Sequence, residues 1–388
     1  MNRRIQKLQS LLQHDGVDGV LYATSANMQY LLDDTSYRWQ RTPDTGGPPF
    51  LTSCGQNHFL NHPDCVLYVP ADGEPVLVAT YERAKDMGRI PVKMETCYYV
   101  MIPEVLRGYV RGERIAYGES CGGYLSRTIA DINPGAEILD GEKYGEQLRK
   151  IKDENEIQKL RNAAQFTDRA MAAIVPSIRP GVTPREIEAL IVEVARKHGL
   201  QDLPFQPACI CVTAGAEGKG RLGGHLPDEP VTEGTAVGFD FGYVLDGYCS
   251  DFGRSFCCGR AEPSILDAYR ALQEAQLHLL ETIRPGVKMD MAYRTLFETL
   301  EKRGWGTYLR DYYGSGVMGH QIGIDVHERP WLYNKSEDVF EAGMVMCIEP
   351  KLWIPGKAYL RVEDMVLLTD KGCESLTKFD REMFELEG

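Results

Sequence analysis

Ser177-Ile178-Arg179-Pro180-Gly181-Val182 returns later in the chain as Thr282-Ile283-Arg284-Pro285-Gly286-Val287, and the match continues at constant spacing through Lys197 with Lys302 and Gly199 with Gly304. In the first copy Thr183, Pro184 and Glu186 supply an N-cap, a first-turn proline and a capping-box glutamate. Ile187, Leu190, Ile191 and Val194 then fall on one face, so a helix is expected to start there. Each copy later enters a strand through a glycine step, Gly234 ahead of Asp240 and Gly343 ahead of Glu349, at equal separation. Two related halves packed together would form one sheet surface with a pseudo-twofold axis, and the acidic side chains would converge near it.

The acids sit on hairpins. Val237 to Tyr243 and Tyr248 to Phe256 flank Asp246-Gly247, a two-residue turn signal in which both positions take positive φ. Centred there, the register pairs Gly242 with Asp251 and Asp240 with Gly253, which puts both aspartates on one face as diagonal neighbours. Two such carboxylates repel unless a cation lies between them, and a bound metal ion meets that need. In the second copy, strands around Met346 to Ile354 and Ala358 to Leu368 join near Pro355-Gly356. A two-residue turn would place Glu349 and Glu363 on opposite faces, so an odd-length connection or a bulge is predicted. On that register Lys351, Trp353 and Arg361 also face the site.

Gly319-His320-Gln321-Ile322-Gly323-Ile324-Asp325-Val326-His327-Glu328 adds two histidines in a segment where glycines permit close backbone approach. It is not a zincin motif, because Trp331 stands where the second histidine would be. Gly314-Ser315-Gly316-Val317-Met318-Gly319 spells a dinucleotide fingerprint without the strand and helix such a site requires, so no organic cofactor is expected. A single acid in a strand is ordinarily a solvated one. Four acids on two repeat-related hairpins, with a glycine-flanked histidine between them, point instead to a metal site.

The chain has 388 residues, 43% of them hydrophobic, which exceeds what one core usually accommodates. Residues 1–150 read as an α/β domain, with Ile5 to Leu12 helix-periodic, Gly19 to Tyr22 and Cys65 to Val69 as strands, and Pro75 to Thr80 pairing with the latter. The boundary is placed near Lys152. From Glu154 an amphipathic helix carries Ile157, Leu160, Ala164 and Ala170 near one face, and residues 151–388 form the second domain. A net charge of -13 argues against nucleic acid and anionic membranes as partners. No apolar run approaches membrane-spanning length and none resembles a signal peptide, so a soluble cytoplasmic protein is expected. The odd count of 11 cysteines fits a reducing compartment, with most thiols, Cys209, Cys211, Cys257 and Cys258 included, expected as buried small hydrophobes.

Asp240 and Asp251 in FDFGYVLDGYCSDFGRSF (239–256), His320 in MGHQIGIDVHERP (318–330), Glu349 in CIEPKLWIPG (347–356) and Glu363 in LRVEDMVLLT (360–369) resemble the creatinase, prolidase and aminopeptidase P family. The likeness spans nearly the whole chain. It implies an α+β fold, a duplicated pita-bread catalytic domain with pseudo-twofold symmetry preceded by a smaller creatinase-like N-terminal α/β domain. It further implies two divalent ions, one on Asp240, the other on His320 and Glu349, with Asp251 and Glu363 bridging. The oxygen-rich ligand set suits manganese first, with cobalt, zinc or iron compatible. By the same resemblance a metal-bridging hydroxide attacks the substrate carbonyl, Glu349 moves the proton, and His225 (in GGHLPD, 223–228) and His327 bond substrate or its tetrahedral intermediate. Arg361 orients neighbouring acids or holds the substrate end.

The leading expectation is a dinuclear metallohydrolase cleaving short Xaa-Pro peptides, as a dipeptidase or aminopeptidase, and a homodimer. The alternative is a non-peptidase enzyme on the same fold: a creatinase-like or ectoine-hydrolase-like hydrolase of a ring amide or amidine, or a small-zwitterion lyase. A catalytically silent binding module is a third reading. Three departures from the family pattern bear on these: Glu-Pro-Gly-x-Tyr becomes Glu349-Pro350-Lys351-Leu352-Trp353, and the threonine usual after the second aspartate is Gly253.

Overall fold

The computed structural model describes residues 2–34, 63–88, 90–200, 202–212, 228–310, 316–382 and 384–386. They form two compact units, Met1–Lys150 and Ile151–Gly388.

The first unit is built on a mixed six-stranded sheet. Its strands β1 (Gly19–Ala23), β2 (Cys65–Pro70), β3 (Val76–Thr80), β4 (Lys93–Cys97), β5 (Arg114–Tyr117) and β6 (Glu137–Asp140) run in the order β4-β3-β2-β1-β5-β6. β1 is apolar along its whole length and buried throughout, as a central strand covered on both faces must be. The helix Arg3–Asp15 starts at Asn2, whose side chain accepts from Ile5 N at 2.9 Å, and buries Ile5, Leu8 and Leu12.

The second unit carries the duplication. Its first half opens with helix Glu154–Ile174, launched by an Asp153–Glu156 capping box that the sequence reading did not single out. The next helix, Pro184–Lys197, begins at the Thr183–Glu186 capping box, and each such cap stabilises its helix by about 1 kcal/mol. The second half answers with Pro263–Thr282 and Met291–Glu301. The two Arg-Pro-Gly-Val turns superpose in their bonding. Gly181 N donates to Val231 O (2.9 Å) and Val231 N to Val182 O (2.7 Å); Gly286 N donates to Phe340 O (2.8 Å) and Phe340 N to Val287 O (2.9 Å). The glycines take φ of 91° and 86°, which a residue with a Cβ rarely adopts.

In the first half lie β7 (Ala208–Cys211), β8 (Ala236–Asp240), β9 (Val244–Leu245), β10 (Tyr248–Cys249) and β11 (Ser255–Cys258). The second contributes β12 (Gly319–Gln321), β13 (Glu328–Leu332), β14 (Val345–Ile348), β15 (Lys351–Ile354), β16 (Ala358–Arg361), β17 (Asp364–Thr369) and β18 (Gly372–Ser375), and β19 (Glu385–Leu386) returns to the first sheet. The sheets run β19-β11-β8-β7 and β13-β12-β14-β17-β18. Phe239, Phe241, Phe252 and Phe256 pack edge to face within the first half's core, while Met346, Ile348, Val362 and Val366 sit in the second half's.

Both hairpins are less regular than the sequence suggested. The first keeps one register from Leu245–Tyr248 through Phe241–Phe252 to Gly238–Ser255, but its strands break at 241–243 and 250–254. In the second, Pro350 lacks an N–H to continue the ladder, and the expected single strand divides into β14 and β15; its partner divides at Val362-Glu363. β14 then pairs with β17, and β15 with β16.

Candidate metal centre

The turn at Asp246-Gly247 has φ of 49° and 75°, as a two-residue hairpin of this hand requires, and it fixes where the aspartates fall. The constant register carries Asp240 opposite Gly253 and Asp251 opposite Gly242. In the second hairpin Lys351 pairs with Arg361 and Ile354 with Ala358, leaving residues 355–357 as an odd connection. That parity is the predicted one, and it turns Glu349 and Glu363 to the same site. The two hairpins meet in a bridge between Gly253 and Glu363, whose N–H donates to Gly253 O at 2.8 Å.

Asp240, Asp251, His320, Glu349, Glu363 and Arg361 thus come together. Arg361 is almost wholly buried and binds three of the acids: Nη1 to Asp240, Nη2 to Glu349 at 2.9 Å and to Glu363 at 2.5 Å, and Nε to Glu363 at 2.9 Å. Lys351 Nζ also pairs with Glu349, and both side chains are buried. Trp353 lies further along the same face, against Tyr359 (ring centroids 6.3 Å apart) with the Arg310 guanidinium 5.8 Å from its ring. Gln276, on helix Pro263–Thr282, reaches through the core to donate to Ile348 O (3.1 Å) and Val362 O (3.3 Å), the residues just before Glu349 and Glu363.

The opposite side of the cluster has another character. His320 Nδ1 lies 3.1 Å from Gln321 O, so that nitrogen carries the proton and Nε2 presents its lone pair. Among the described residues, Asp251 Oδ1, His320 Nε2 and Glu363 Oε1 are buried with no hydrogen-bond partner. His320 Nε2 is 3.4 Å from Asp251 Oδ2, a close approach without hydrogen-bond alignment. Orphaned acceptors in a dry interior are costly, and three on neighbouring side chains form a set that could hold a metal ion. Cys347 Sγ joins them: ligand atoms of Asp251, His320, Cys347 and Glu363 all lie within 4.8 Å of one another. Sequence reading missed Cys347, although it sits two residues before Glu349 on β14 and directly across from His320 in the ladder.

The electrostatics divide the same way. Burial would raise the Glu349 carboxyl, but the Lys351 ammonium and Arg361 guanidinium overcome it and bring it down to about 2. Glu363 and Asp251 go the other way, raised chiefly by burial in spite of Arg361 and His320. Burial opposes charging His320, yet Asp251 and Glu349 outweigh it and raise its pKa. His327 lies beside it, with ring centroids 4.5 Å apart, and desolvation together with His320 lowers it to about 4. His225 falls outside the described residues.

Residues 158–370 match the model of metallopeptidase family M24. The chain belongs to metallopeptidase family M24. As an M24 member it is a metal-dependent hydrolase on the duplicated pita-bread fold, as the resemblance implied. It is 27% identical over 393 residues to the Xaa-Pro dipeptidase of Pyrococcus horikoshii, covering 99% of each chain. It is 31% identical over 252 residues to the putative dipeptidase YkvY of Bacillus subtilis, covering 65% of this chain and 67% of that one. Among solved structures it superposes on the Xaa-Pro dipeptidase from Bacillus anthracis with a TM-score of 0.80 at 25% identity, over 99% of both chains. Among the described residues of this M24 chain, no helix is long and apolar enough to cross a membrane.

Proposed function

We propose that this chain is an Xaa-Pro dipeptidase or aminopeptidase that works with a divalent ion, manganese first, bound by Asp251, His320 and Glu363. The observation that carries the reading is that Asp251 Oδ1, His320 Nε2 and Glu363 Oε1 are buried without partners on three residues whose ligand atoms lie within 4.8 Å of one another. The sequence reading gave two ions and counted Asp240 and Glu349 among their ligands; in the structure Arg361 pairs with both, and Lys351 with Glu349 as well. The substrate class is supported by the full-length likeness to the Pyrococcus horikoshii Xaa-Pro dipeptidase. Two carboxylates beside one imidazole in the set Asp251, His320 and Glu363 favour manganese over softer ions. A divalent ion held there would polarise the scissile carbonyl and acidify a water molecule.

The chain's own groups supply the rest. Glu349, whose Oε1 lies 4.0 Å from His320 Nε2, would take the proton of the attacking water and pass it to the leaving nitrogen. His327, neutral at physiological pH, would donate a ring N–H to the developing oxyanion, with His225 bonding the substrate from the segment outside the described residues. Arg361, fixed by three carboxylates, orients them.

The test is a panel of Xaa-Pro dipeptides and longer Xaa-Pro peptides offered to the manganese-reconstituted protein. Proline-dependent hydrolysis, lost in Glu349→Ala, is the expected result. Turnover of cyclic amides with none of the peptides would overturn the substrate assignment. We also propose a cytoplasmic homodimer, which sedimentation at working concentration would refute by showing a monomer.

A further inference from the structure

The acids of this site do not share their cations evenly. Asp240 and Glu349 are taken up by the two basic side chains, Asp240 by Arg361 and Glu349 by Arg361 and Lys351 together. Glu363 gives one oxygen to Arg361 and keeps the other without a partner, as Asp251 keeps its Oδ1 and His320 its Nε2. These three residues are at most 2% exposed.

Charge decides how many ions such a site holds. Asp240, Asp251, Glu349 and Glu363 bring four negative charges, and Lys351 and Arg361 return two positive ones. The remaining two are matched by one divalent cation. A second would leave a net positive charge, single even when one hydroxide is counted with the ions, among side chains largely removed from water, where like charges repel strongly. Arg361 also has the space it needs: a Cβ at Gly253 would stand 2.5 Å from its Nε, 2.6 Å from Cδ and 2.9 Å from Cγ. A threonine there would meet the arginine stem, so the absence of a side chain at 253 and the lysine at 351 act toward the same end.

We propose that this chain binds one divalent ion, on Asp251, His320 and Glu363, and that Lys351 with Arg361 neutralises Asp240 and Glu349 in place of a second. The inference rests on the metallopeptidase reading but not on the substrate. The two cations are positioning groups: they hold Asp240 and Glu349 in place without the ion that would otherwise bridge them.

The experiment is metal stoichiometry on the full chain, stripped with chelator, equilibrated with Mn²⁺ and read by elemental analysis and electron paramagnetic resonance. One manganese per chain with the hyperfine pattern of an isolated ion is expected. Lys351→Met should raise the count toward two and add an exchange-coupled spectrum, while Lys351→Arg, which keeps the charge, should stay at one. Circular dichroism confirms that each variant is folded, and Gly253→Thr, which crowds Arg361 away, provides a second route to the raised count. Two coupled ions in the wild type would overturn this inference and leave the metallopeptidase reading standing. No bound ion would overturn both. A count of one unchanged in Lys351→Met and Gly253→Thr would overturn the role given to the two cations.

Discussion

Gly253 and Arg361 occupy one space: the arginine stem runs where the side chain of residue 253 would be, 2.5 Å from an ideal Cβ. The contact crosses from one half of the duplication to the other, beside the Gly253–Glu363 bridge. Overpacking of this kind costs about 1–3 kcal/mol. Gly253→Thr is therefore expected to lower the unfolding midpoint, and to cost less in an Arg361→Ala background. A double-mutant cycle by urea denaturation should give a coupling between the two changes of about 0.5–3 kcal/mol, and strict additivity would contradict the contact.

Arg254 and Asp364 form an ion pair at 2.7 Å with both side chains fully buried, and Arg254 Nη1 donates to Glu363 O at 2.8 Å. The pair holds the backbone beneath Glu363. Removing one partner leaves a buried charge, although Arg381 and Thr377 still serve Asp364. Arg254→Met should lose about 3–5 kcal/mol of stability, measurable by chemical denaturation of the metal-free protein. A change smaller than a few tenths would mean the pair is not formed in solution.

Metal binding should be visible as stability. At a free ion concentration a hundredfold above Kd, an ion bound only by the folded state adds about 2.7 kcal/mol. Chelation should lower the melting temperature and Mn²⁺ restore it. In His320→Gln, which lacks the imidazole Nε2 that meets Asp251 and Glu363, the Mn²⁺-dependent rise should be much reduced. An equal rise in that variant would place the ion elsewhere.

Cys347 Sγ belongs to the same cluster as Asp251, His320 and Glu363. Thiolate favours zinc over manganese, while carboxylate does not. Cys347→Ser is expected to weaken Zn²⁺ relative to Mn²⁺ in competition dialysis. If the ratio does not move, the sulfur takes no part in binding.

His327 is held down to about 4, against 6.5 for an unperturbed imidazole, by desolvation and by His320 beside it. A bound cation nearby would push in the same direction. The unfolded chain therefore binds more protons than the folded one between those values, and stability falls as pH drops from about 6.5 to about 4. The melting temperature of His327→Gln should depend less steeply on pH across that window. Parallel curves for the two proteins would show that His327 titrates normally.

The sequence by itself determined the duplication, because each half repeats a glycine turn that only positive φ permits, and the helix starts at Thr183 is written in capping chemistry local to four residues. It also determined which acids share a face: Asp246-Gly247 sets one register, and the side-chain alternation of a strand makes the length of the Pro355–Lys357 connection decide the other. Tertiary structure alone decided how those acids are neutralised. Alternation tells which way a Cβ points, but Arg361 and Lys351 are long, and where their charges end depends on space left by Gly253 in the other half of the duplication. Likewise Cys347 became a neighbour of His320 only through the pairing of β12 with β14, and Pro350 broke a strand that periodicity had drawn as continuous. Local chemistry fixes turns, caps and faces because their interactions span a few residues; charge balance is a property of distances between segments far apart in the chain, and folding sets those.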